Sequence, residues 1–353
     1  MLIPAISVAF IVTVACMFAI HPFALRIGLI DSPGGHKRHD GEVPVIGGIA
    51  MLVGMTIGLF LLAPPAGGFL SAFLAGSLLV AIGVIDDRVG LPPATRMMTQ
   101  VAVVLIMIFG ANLQLTDIGD PFGTGVISMG GLSLIFTLVV VVTMINAYNL
   151  IDGLDGLSGS MAIIALSAVA TVAGTGNVFG AAALTLSASI VGFLVFNYPV
   201  KWNRSVRSFM GDAGSTLLGL AVVWVTLGVA QGEGRIISPV HCLWFAALPI
   251  FDCLACFVKR VRKGVSPFES ARDHAHHMLR RGGFGVRGTV AVLTGMQVFY
   301  ACCGVAGYFA GVPDVVMFTA WSVFGMSHRF IIHRIARSHR LHRMTAIRRR
   351  NFA

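Results

Sequence analysis

The sequence predicts an all-α integral membrane protein, a polytopic bundle of about eleven transmembrane helices. Hydrophobic residues make up 56% of the 353 residues and charged residues only 11%, too little polar surface to cover a water-soluble globule of this size. Apolar stretches of about 20 residues, the length that crosses a bilayer as a helix, recur along the chain. Short loops join them, so we predict one membrane-embedded domain over residues 1–353.

The predicted spans are the apolar runs between glycine, proline and charged breaks. They lie near residues 2–24, 45–63, 69–85, 95–111, 130–148, 159–174, 178–196, 214–230, 240–258, 289–310 and 313–333. The first span has no basic start and no small-residue cleavage site, so we expect it to be a retained anchor rather than a signal peptide. The loop over 112–130 is predicted to form a small hairpin.

The positive charges predict the orientation. Of the 25 Lys and Arg residues, all but Arg235 fall in loops of one parity or at the span ends beside them. Basic residues concentrate in cytoplasmic loops, which predicts an outside N-terminus, an inside C-terminus and a basic cytoplasmic tail over 334–353. This topology explains the net charge of +10 without nucleic acid, which we do not expect as a partner.

Two adjacent acids, Asp86 and Asp87, end the third span on this predicted cytoplasmic side. Paired carboxylates suit a divalent cation or a proton acceptor, because Mg²⁺ prefers oxygen ligands and like charges raise one pKa. A solvated helix end is the alternative. Adjacent helical residues point about 100° apart, so we expect the two acids to have different roles.

A polar, glycine-rich string over residues 146–159 follows the fifth span. Its glycines allow the backbone to approach a bound ligand, while Asn149, Asp152 and Asp155 supply polar side chains. If a turn of helix persists, Asp152 and Asp155 share a face. The alternative is a glycine-rich turn in which these residues cap helix ends.

Asp212 precedes the eighth span beside Gly211 and Gly214. A carboxylate next to the free N–H groups of a helix N-terminus is a candidate metal and phosphate locus, and a simple N-cap is the alternative. Asn197 closes the preceding span, and we expect its amide in the same cavity.

The largest inner loop, residues 259–287, carries His274, His276 and His277 within four positions. Such a cluster could bind zinc, contact substrate phosphate or form a charged surface. The carboxylates nearby favour Mg²⁺ chemistry, in which histidines contact phosphate. Asp252 lies mid-span, where an acid is costly, so it is either functional or paired with a buried polar group.

The first inner loop carries Lys37 and Arg38. These cations could hold a lipid phosphate at headgroup level, and unspecific attraction to anionic lipid is the alternative.

Taken together, these strings resemble the polyprenyl-phosphate N-acetylhexosamine-1-phosphate transferase family, glycosyltransferase family 4. The matching strings are Asp86-Asp87-Arg88, residues 146–157, residues 209–219, Ser266-Pro-Phe, and Asp273-His-x-His-His277. The last string is similar to the branch that uses UDP-GlcNAc. It is unlike the branch that makes the first peptidoglycan lipid intermediate from UDP-N-acetylmuramoyl-pentapeptide.

The resemblance implies that undecaprenyl phosphate attacks the sugar-linked phosphorus of UDP-GlcNAc, releasing UMP. This would be the first lipid-linked step of a cell-envelope polysaccharide of the O-antigen, common-antigen or teichoic acid type. It further implies Mg²⁺, with Mn²⁺ as an alternative, and a bacterial inner membrane enzyme with a cytoplasmic active site among membrane lipids. A homodimer is compatible with it.

By the same resemblance, Asp212 would bind Mg²⁺, with Asn197 as a further candidate. Asp86 or Asp87 would accept the proton of the lipid phosphate or assist at the metal. The remaining candidates bind substrate: Asn149, Asp152 and Asp155 the nucleotide sugar, His274, His276 and His277 the diphosphate, Lys37 and Arg38 the acceptor phosphate. An ion-coupled transporter, the alternative from another class, would place acids near span centres, whereas here only Asp252 is deep.

Overall fold

The computed structural model describes residues 1–31, 42–62, 68–199, 207–232, 234–264 and 273–351, with side chains as far as Leu341. The helices are α1 Leu2–Ile27, α2 Gly47–Leu62, α3 Gly68–Val89, α4 Pro93–Ala111, α5 Ser133–Ile151, α6 Leu157–Ala173, α7 Val178–Asn197, α8 Gly211–Ala230, α9 Pro239–Cys242, α10 Ala247–Arg262, α11 Ala275–Arg281, α12 Val286–Phe309 and α13 Asp314–Asn351. Strands β1 (Ile30–Asp31) and β2 (Val43–Pro44) pair antiparallel. The predicted all-α class is confirmed.

Within the described residues, eight helices are long and apolar enough to cross a membrane. They are α1, α3, α4, α5 with the short 3₁₀ turn before it, α7, α8, α12 and α13. The shorter helices α2 and α6 are also apolar. The chain is therefore a multi-pass membrane protein, while the count of eleven spans and the orientation stay predictions.

The ninth predicted span, 240–258, is not one helix. Helix α9 ends at Cys242 and α10 begins at Ala247. In lipid, backbone groups freed by such a break must find partners within the protein. The buried side chain of Gln297 supplies them, since it donates to the Phe245 carbonyl at 2.5 Å and accepts from the Leu248 N–H at 3.0 Å.

Helix α8 lies at the centre of the bundle and is the most buried of the membrane-crossing helices. It approaches its neighbours through glycines. A Cβ on Gly83 of α3 would lie 2.4 Å from the Ala213 Cα, and one on Gly219 would lie 2.6 Å from the Ile145 Cα of α5. Small residues let membrane helices pack at short distances. The ends of α3 and α5 are thereby held against the start of α8.

The short strands connect the start of α2 to the segment before α8. Val45 forms a parallel bridge with Phe209, and the Ser208 hydroxyl donates to the Pro44 carbonyl at 2.8 Å. At the other end of the bundle, Asp117 and Ser128 form an antiparallel bridge within the loop that was predicted to be a hairpin. The strands therefore lie at the α8 N-terminus, where the predicted acids meet.

Candidate active site

The end of α3, the loop after α5 and the start of α8 enclose a cavity of about 610 Å³. Its lining includes six of the predicted site residues: Asp87, Asn149, Asp152, Asp155, Asn197 and Asp212. Residues from four separate sequence strings thus meet in one place, as the prediction required.

Asp87 caps the N-terminus of α8 from a different helix. Its carboxylate accepts hydrogen bonds from the backbone N–H groups of Asp212 at 2.9 Å and Ala213 at 3.5 Å. Gly211 has a φ of +66°, and a Cβ there would lie 2.2 Å from an Asp87 carboxylate oxygen. Because Asp87 does the capping, Asp212 is not the N-cap, and its carboxylate extends into the cavity.

Asp86 points away from Asp87, as the helical geometry predicted. It accepts a hydrogen bond from the Leu91 N–H at 2.6 Å and pairs with the Arg96 Nε at 3.1 Å. Arg96 also reaches Asp212, with its Nη1 3.4 Å from a carboxylate oxygen. Asp86 therefore lies outside the larger cavity and lines an adjoining, smaller one that Asn149 and Asp212 also line, and its carboxyl group contacts Asp212 directly as well as through Arg96.

Asn149 orients Asp212. Its Nδ2 donates to the Asp212 Oδ1 at 2.8 Å and lies 3.0 Å from the Ser215 hydroxyl. Asn149 is in the last turn of α5 and Ser215 in the first turn of α8, so the contact also fixes the two helices relative to each other. The predicted substrate-binding residue thus has a second, positioning role.

Asp152 stands at the C-cap of α5, where the chain leaves the helix. Burial raises the pKa of this carboxyl well above its usual range, and the neighbouring carboxylates of Asp212, Asp155 and Asp87 raise it further. The cavity therefore concentrates negative charge. A bound divalent cation would relieve that repulsion, so the carboxylate donor set fits Mg²⁺ or Mn²⁺.

Asn197 holds the glycine-rich loop in place. Its Oδ1 accepts from the Gly156 N–H at 2.7 Å, and its Nδ2 donates to the Ser208 carbonyl at 2.9 Å. Gly156 has a φ of +76°, a conformation that favours glycine. With both ends of the amide bonded to backbone, the geometry favours a positioning role for Asn197 over the expected metal or substrate contact.

His274 is buried and bonded to the mid-span acid. Its Nδ1 lies 2.8 Å from the Asp252 Oδ2, and the other Asp252 oxygen accepts from the Ala275 N–H at 2.8 Å. Burial lowers the pKa of His274, but the Asp252 carboxylate outweighs it and raises this pKa to about 9. His274 thus forms a buried ion pair, and its expected contact with the diphosphate stays a prediction. Of the two alternatives for Asp252, the structure supports pairing.

His276 packs against the glycine-rich loop, because a Cβ on Gly153 would lie 2.2 Å from its Nε2. Its ring is parallel to that of His274, with centroids 5.9 Å apart, and is 4.2 Å from that of His277. Burial, assisted by the charge of His277, lowers the pKa of His276 to about 3. His276 is therefore neutral at physiological pH and suited to hydrogen bonding.

Comparison with known proteins decides the family. The sequence model of glycosyl transferase family 4 matches residues 69–230. An undecaprenyl-phosphate alpha-N-acetylglucosaminyl 1-phosphate transferase of Yersinia pestis is 31% identical, over 92% of this chain and 90% of the relative. Proteins of the same name from Haemophilus influenzae and Escherichia coli O157:H7 are 33% and 34% identical, over 94% and 92% of this chain and 96% and 89% of theirs.

The chain belongs to glycosyl transferase family 4. The resemblance predicted from the motifs is thereby confirmed, and the chain is an enzyme of the transferase class. The matched family region contains Asp86, Asp87, Asn149, Asp152, Asp155, Asn197 and Asp212. The histidines follow it in sequence, but α11 brings His276 against the loop at Gly153.

Three arginines of this family member were not predicted as site residues. Arg207 pairs with Asp155 and lies over the Phe209 ring at 5.0 Å, Arg280 of α11 lines the cavity, and Arg96 connects the Asp86 and Asp212 carboxylates. In the sequence they were counted among the charges that set topology. Each of these arginines lies close in sequence to one of the aspartate or histidine strings, and that closeness could have identified it as a site residue.

Lys37 and Arg38, the candidates for the acceptor phosphate, lie outside the described residues, as does Ser266-Pro-Phe. Their expected role stays a prediction. Asp31, the last described residue before them, lines the cavity.

Proposed function

We propose that this family 4 member transfers GlcNAc-1-phosphate from UDP-GlcNAc to undecaprenyl phosphate, forming undecaprenyl-diphosphate-GlcNAc and UMP. The observation that carries the proposal is the meeting of Asp87, Asp152, Asp155 and Asp212 in one cavity with Arg207 and Arg280. Phosphoryl transfer depends mainly on alignment and charge neutralisation, and the cavity offers groups of both signs for these tasks. The names of the relatives supply the sugar and the acceptor.

The proposed cofactor is Mg²⁺, with Mn²⁺ able to replace it. Asp212 is the proposed holder, because its carboxylate faces the cavity and Asn149 keeps it oriented. When bound, such an ion neutralises phosphate charge and favours departure of UMP. Burial, and after it the neighbouring carboxylates, raise the pKa of Asp152, and a cation among those carboxylates would offset their repulsion.

The other side chains divide between donor and acceptor. Asp87 is the proposed proton acceptor for the lipid phosphate, since Asp86 is bonded to Arg96 outside the cavity. Asp152 and Asp155 are proposed to contact the nucleotide sugar. Arg207 and Arg280 offer guanidinium groups that match phosphate oxygens in geometry and charge.

The acceptor places a condition on the site, because a polyprenyl chain stays in the bilayer while its phosphate lies at the surface. The acids that line the cavity lie at helix ends, which suits that condition. We propose that this is the cytoplasmic face of the bacterial inner membrane, in line with the distribution of Lys and Arg. At that location, the lipid acceptor in the bilayer and the nucleotide sugar in the cytoplasm can both reach the cavity.

Two rival functions are less well supported. A transporter would need titratable groups along a path through the membrane, whereas Asp252, the one deep acid among the predicted site residues, is paired with His274. Transfer of the muramoyl-pentapeptide sugar is not favoured, because the relatives described above carry the N-acetylglucosaminyl name.

The test is release of UMP by the purified protein with undecaprenyl phosphate and one nucleotide sugar at a time. We expect UMP with UDP-GlcNAc and Mg²⁺, and none from Asp212→Asn at equal protein concentration. UDP-GalNAc and UDP-N-acetylmuramoyl-pentapeptide are the specificity controls. Turnover of the pentapeptide nucleotide alone would overturn the assignment of the donor, and turnover of none would overturn the proposed reaction.

A further inference from the structure

Helix α11 is fixed against the inner half of α13 by three contacts. A Cβ on Gly282 would lie 2.7 Å from the Ala336 Cβ, so the chains are as close as a glycine permits. Phe284 stacks on His339 with centroids 3.8 Å apart and an interplanar angle of 24°, and the His339 Nδ1 lies 3.2 Å from the Gly282 carbonyl oxygen. The junction is therefore closely packed.

A cleft of about 460 Å³ opens beside this junction, outside the acidic cavity. It is lined by Met278, Arg281, Gly282, His333, Ala336, Arg337 and Arg340. Every ionisable side chain in this lining is basic. Arg281, Arg337 and Arg340 are all exposed, so anions can reach them from solution or from the lipid surface.

Among the residues that the structure describes, little negative charge offsets these cations. From residue 274 to the C-terminus the sequence contains one acid, Asp314, at the opposite end of α13. Asp273 lies 3.9 Å from Arg281 but is already bonded to the Lys259 Nζ at 2.5 Å. Guanidinium groups that converge without carboxylates repel one another, and an anion bound between them would remove that repulsion.

We propose that this cleft, defined by Arg281, His333, Arg337 and Arg340, binds the phosphate group of an acidic phospholipid. Guanidinium groups donate paired hydrogen bonds to phosphate oxygens. The last predicted span ends at 333, so at the helical rise Arg337 and Arg340 lie roughly 6 and 10 Å beyond it, in the headgroup region. Free inorganic phosphate has the same chemistry and is the alternative source.

A lipid bound in the cleft would affect the proposed active site through α11. Arg280 lines the acidic cavity and Arg281, the next residue, lines the basic cleft. The same short helix carries His276 and His277. A phosphate bound in the cleft would thus hold α11 to α13 and with it one wall of the proposed active site.

Arginines collect at the inner ends of membrane-spanning helices even where no lipid site exists. The test therefore compares two arginines of α13. Arg337→Gln removes a cation from the cleft. Arg334→Gln, the matched control, removes one that lies outside the cleft lining, with its guanidinium 5.3 Å from the Phe330 ring. Arg337→Lys retains the charge and tests for rescue.

The readout is retention of phosphatidylglycerol or phosphatidylcholine by the purified proteins in neutral detergent, measured by native mass spectrometry. We expect wild type and Arg334→Gln to retain phosphatidylglycerol selectively, Arg337→Gln to retain on the order of tenfold less, and Arg337→Lys to recover part. Equal losses in the two Gln variants, or equal retention of both lipids by wild type, would overturn the proposal.

Two further arms complete the experiment. Melting temperatures in phosphatidylcholine alone show whether Arg337→Gln remains folded, and we expect no change. The second arm adds inorganic phosphate at concentrations that also displace phosphatidylglycerol. If phosphate stabilises wild type but not Arg337→Gln, the result supports the cleft as a phosphate site. Stabilisation by phosphate without retention of phosphatidylglycerol would overturn the lipid as its ligand. None of these readouts uses transferase activity. The proposal of a lipid site can therefore be refuted while the proposed function stands, and the proposed function can be refuted while the lipid site stands.

Discussion

The carboxylate of Asp87 accepts a hydrogen bond from the backbone N–H of Asp212 at 2.9 Å, across 125 positions of sequence. The end of α3 therefore caps the start of α8, and this bond fixes the carboxylate of Asp87, the proposed proton acceptor, relative to Asp212, the proposed metal holder. Asn substitutions keep the shape of each carboxylate side chain and remove its charge, so they test the roles of Asp87 and Asp212 separately.

Asp212→Asn is expected to lower turnover by a factor of about 10² to 10³ or more, because it removes a carboxylate proposed to hold the metal. The side chain keeps its size, so the protein should accumulate in membranes at the wild-type level. UMP release normalised to immunoblot intensity measures the effect. Wild-type turnover in this variant would contradict the metal assignment.

Asp87→Asn and Asp86→Asn are expected to differ. Asp87 lines the cavity and caps α8, so its substitution should abolish most activity and cost about 1 kcal/mol of stability. Asp86 lies outside that cavity and contacts both Arg96 and Asp212, so Asp86→Asn should have the smaller effect on kcat and should not be additive with Arg96→Gln. A greater loss in Asp86→Asn would reverse the two roles.

The His274–Asp252 ion pair predicts a pH dependence of stability. The pKa of His274 is raised from 6.5 to about 9, so its contribution is complete below pH 6.5 and is lost as the pH rises through 9. The shift corresponds to roughly 3 to 4 kcal/mol. Melting temperature in detergent should fall between pH 6.5 and 9.5, and fall less in His274→Asn.

His276→Asn is the matched control for that titration, because the pKa of His276 lies near 3, outside the window. This variant should keep the wild-type pH profile. A profile that is flat in wild type, or unchanged in His274→Asn, would contradict the ion pair.

Gly153→Ala tests the contact between the glycine-rich loop and the histidine helix. The added Cβ would lie 2.2 Å from the His276 Nε2, so the ring must move. We expect a KM for UDP-GlcNAc raised on the order of tenfold or more, since displacement of a positioning group costs that much in catalysis. Gly285→Ala, where a Cβ meets nothing within 4 Å, is the control and should behave as wild type.

Much of the fold follows from the sequence, because apolar length decides which segments cross a bilayer. The break between α9 and α10 does not, since it depends on Gln297, a residue of α12 that satisfies the open backbone. The different directions of Asp86 and Asp87 were predictable from helical geometry. The burial of His274 was not, because its partner Asp252 lies 22 positions away in another helix.

Arginines were the hardest site residues to predict. Arg207 and Arg280 lie in stretches whose positive charge already has a topological explanation, and only the folded chain distinguishes those that face acids from those that face lipid. Membrane topology does not explain why carboxylates should gather at span ends. The sequence pattern of the carboxylates therefore predicted the site better than that of the arginines.

The most direct test of the account is the location of Mn²⁺ by anomalous scattering from crystals of the protein with UDP-GlcNAc. We expect an ion within about 2.5 Å of an Asp212 carboxylate oxygen, in the cavity lined by Asp87 and Asp152. A second group of suitable atoms, from Asp252, Cys256 and His274, lies elsewhere in the bundle. An ion bound there, with none beside Asp212, would contradict the account.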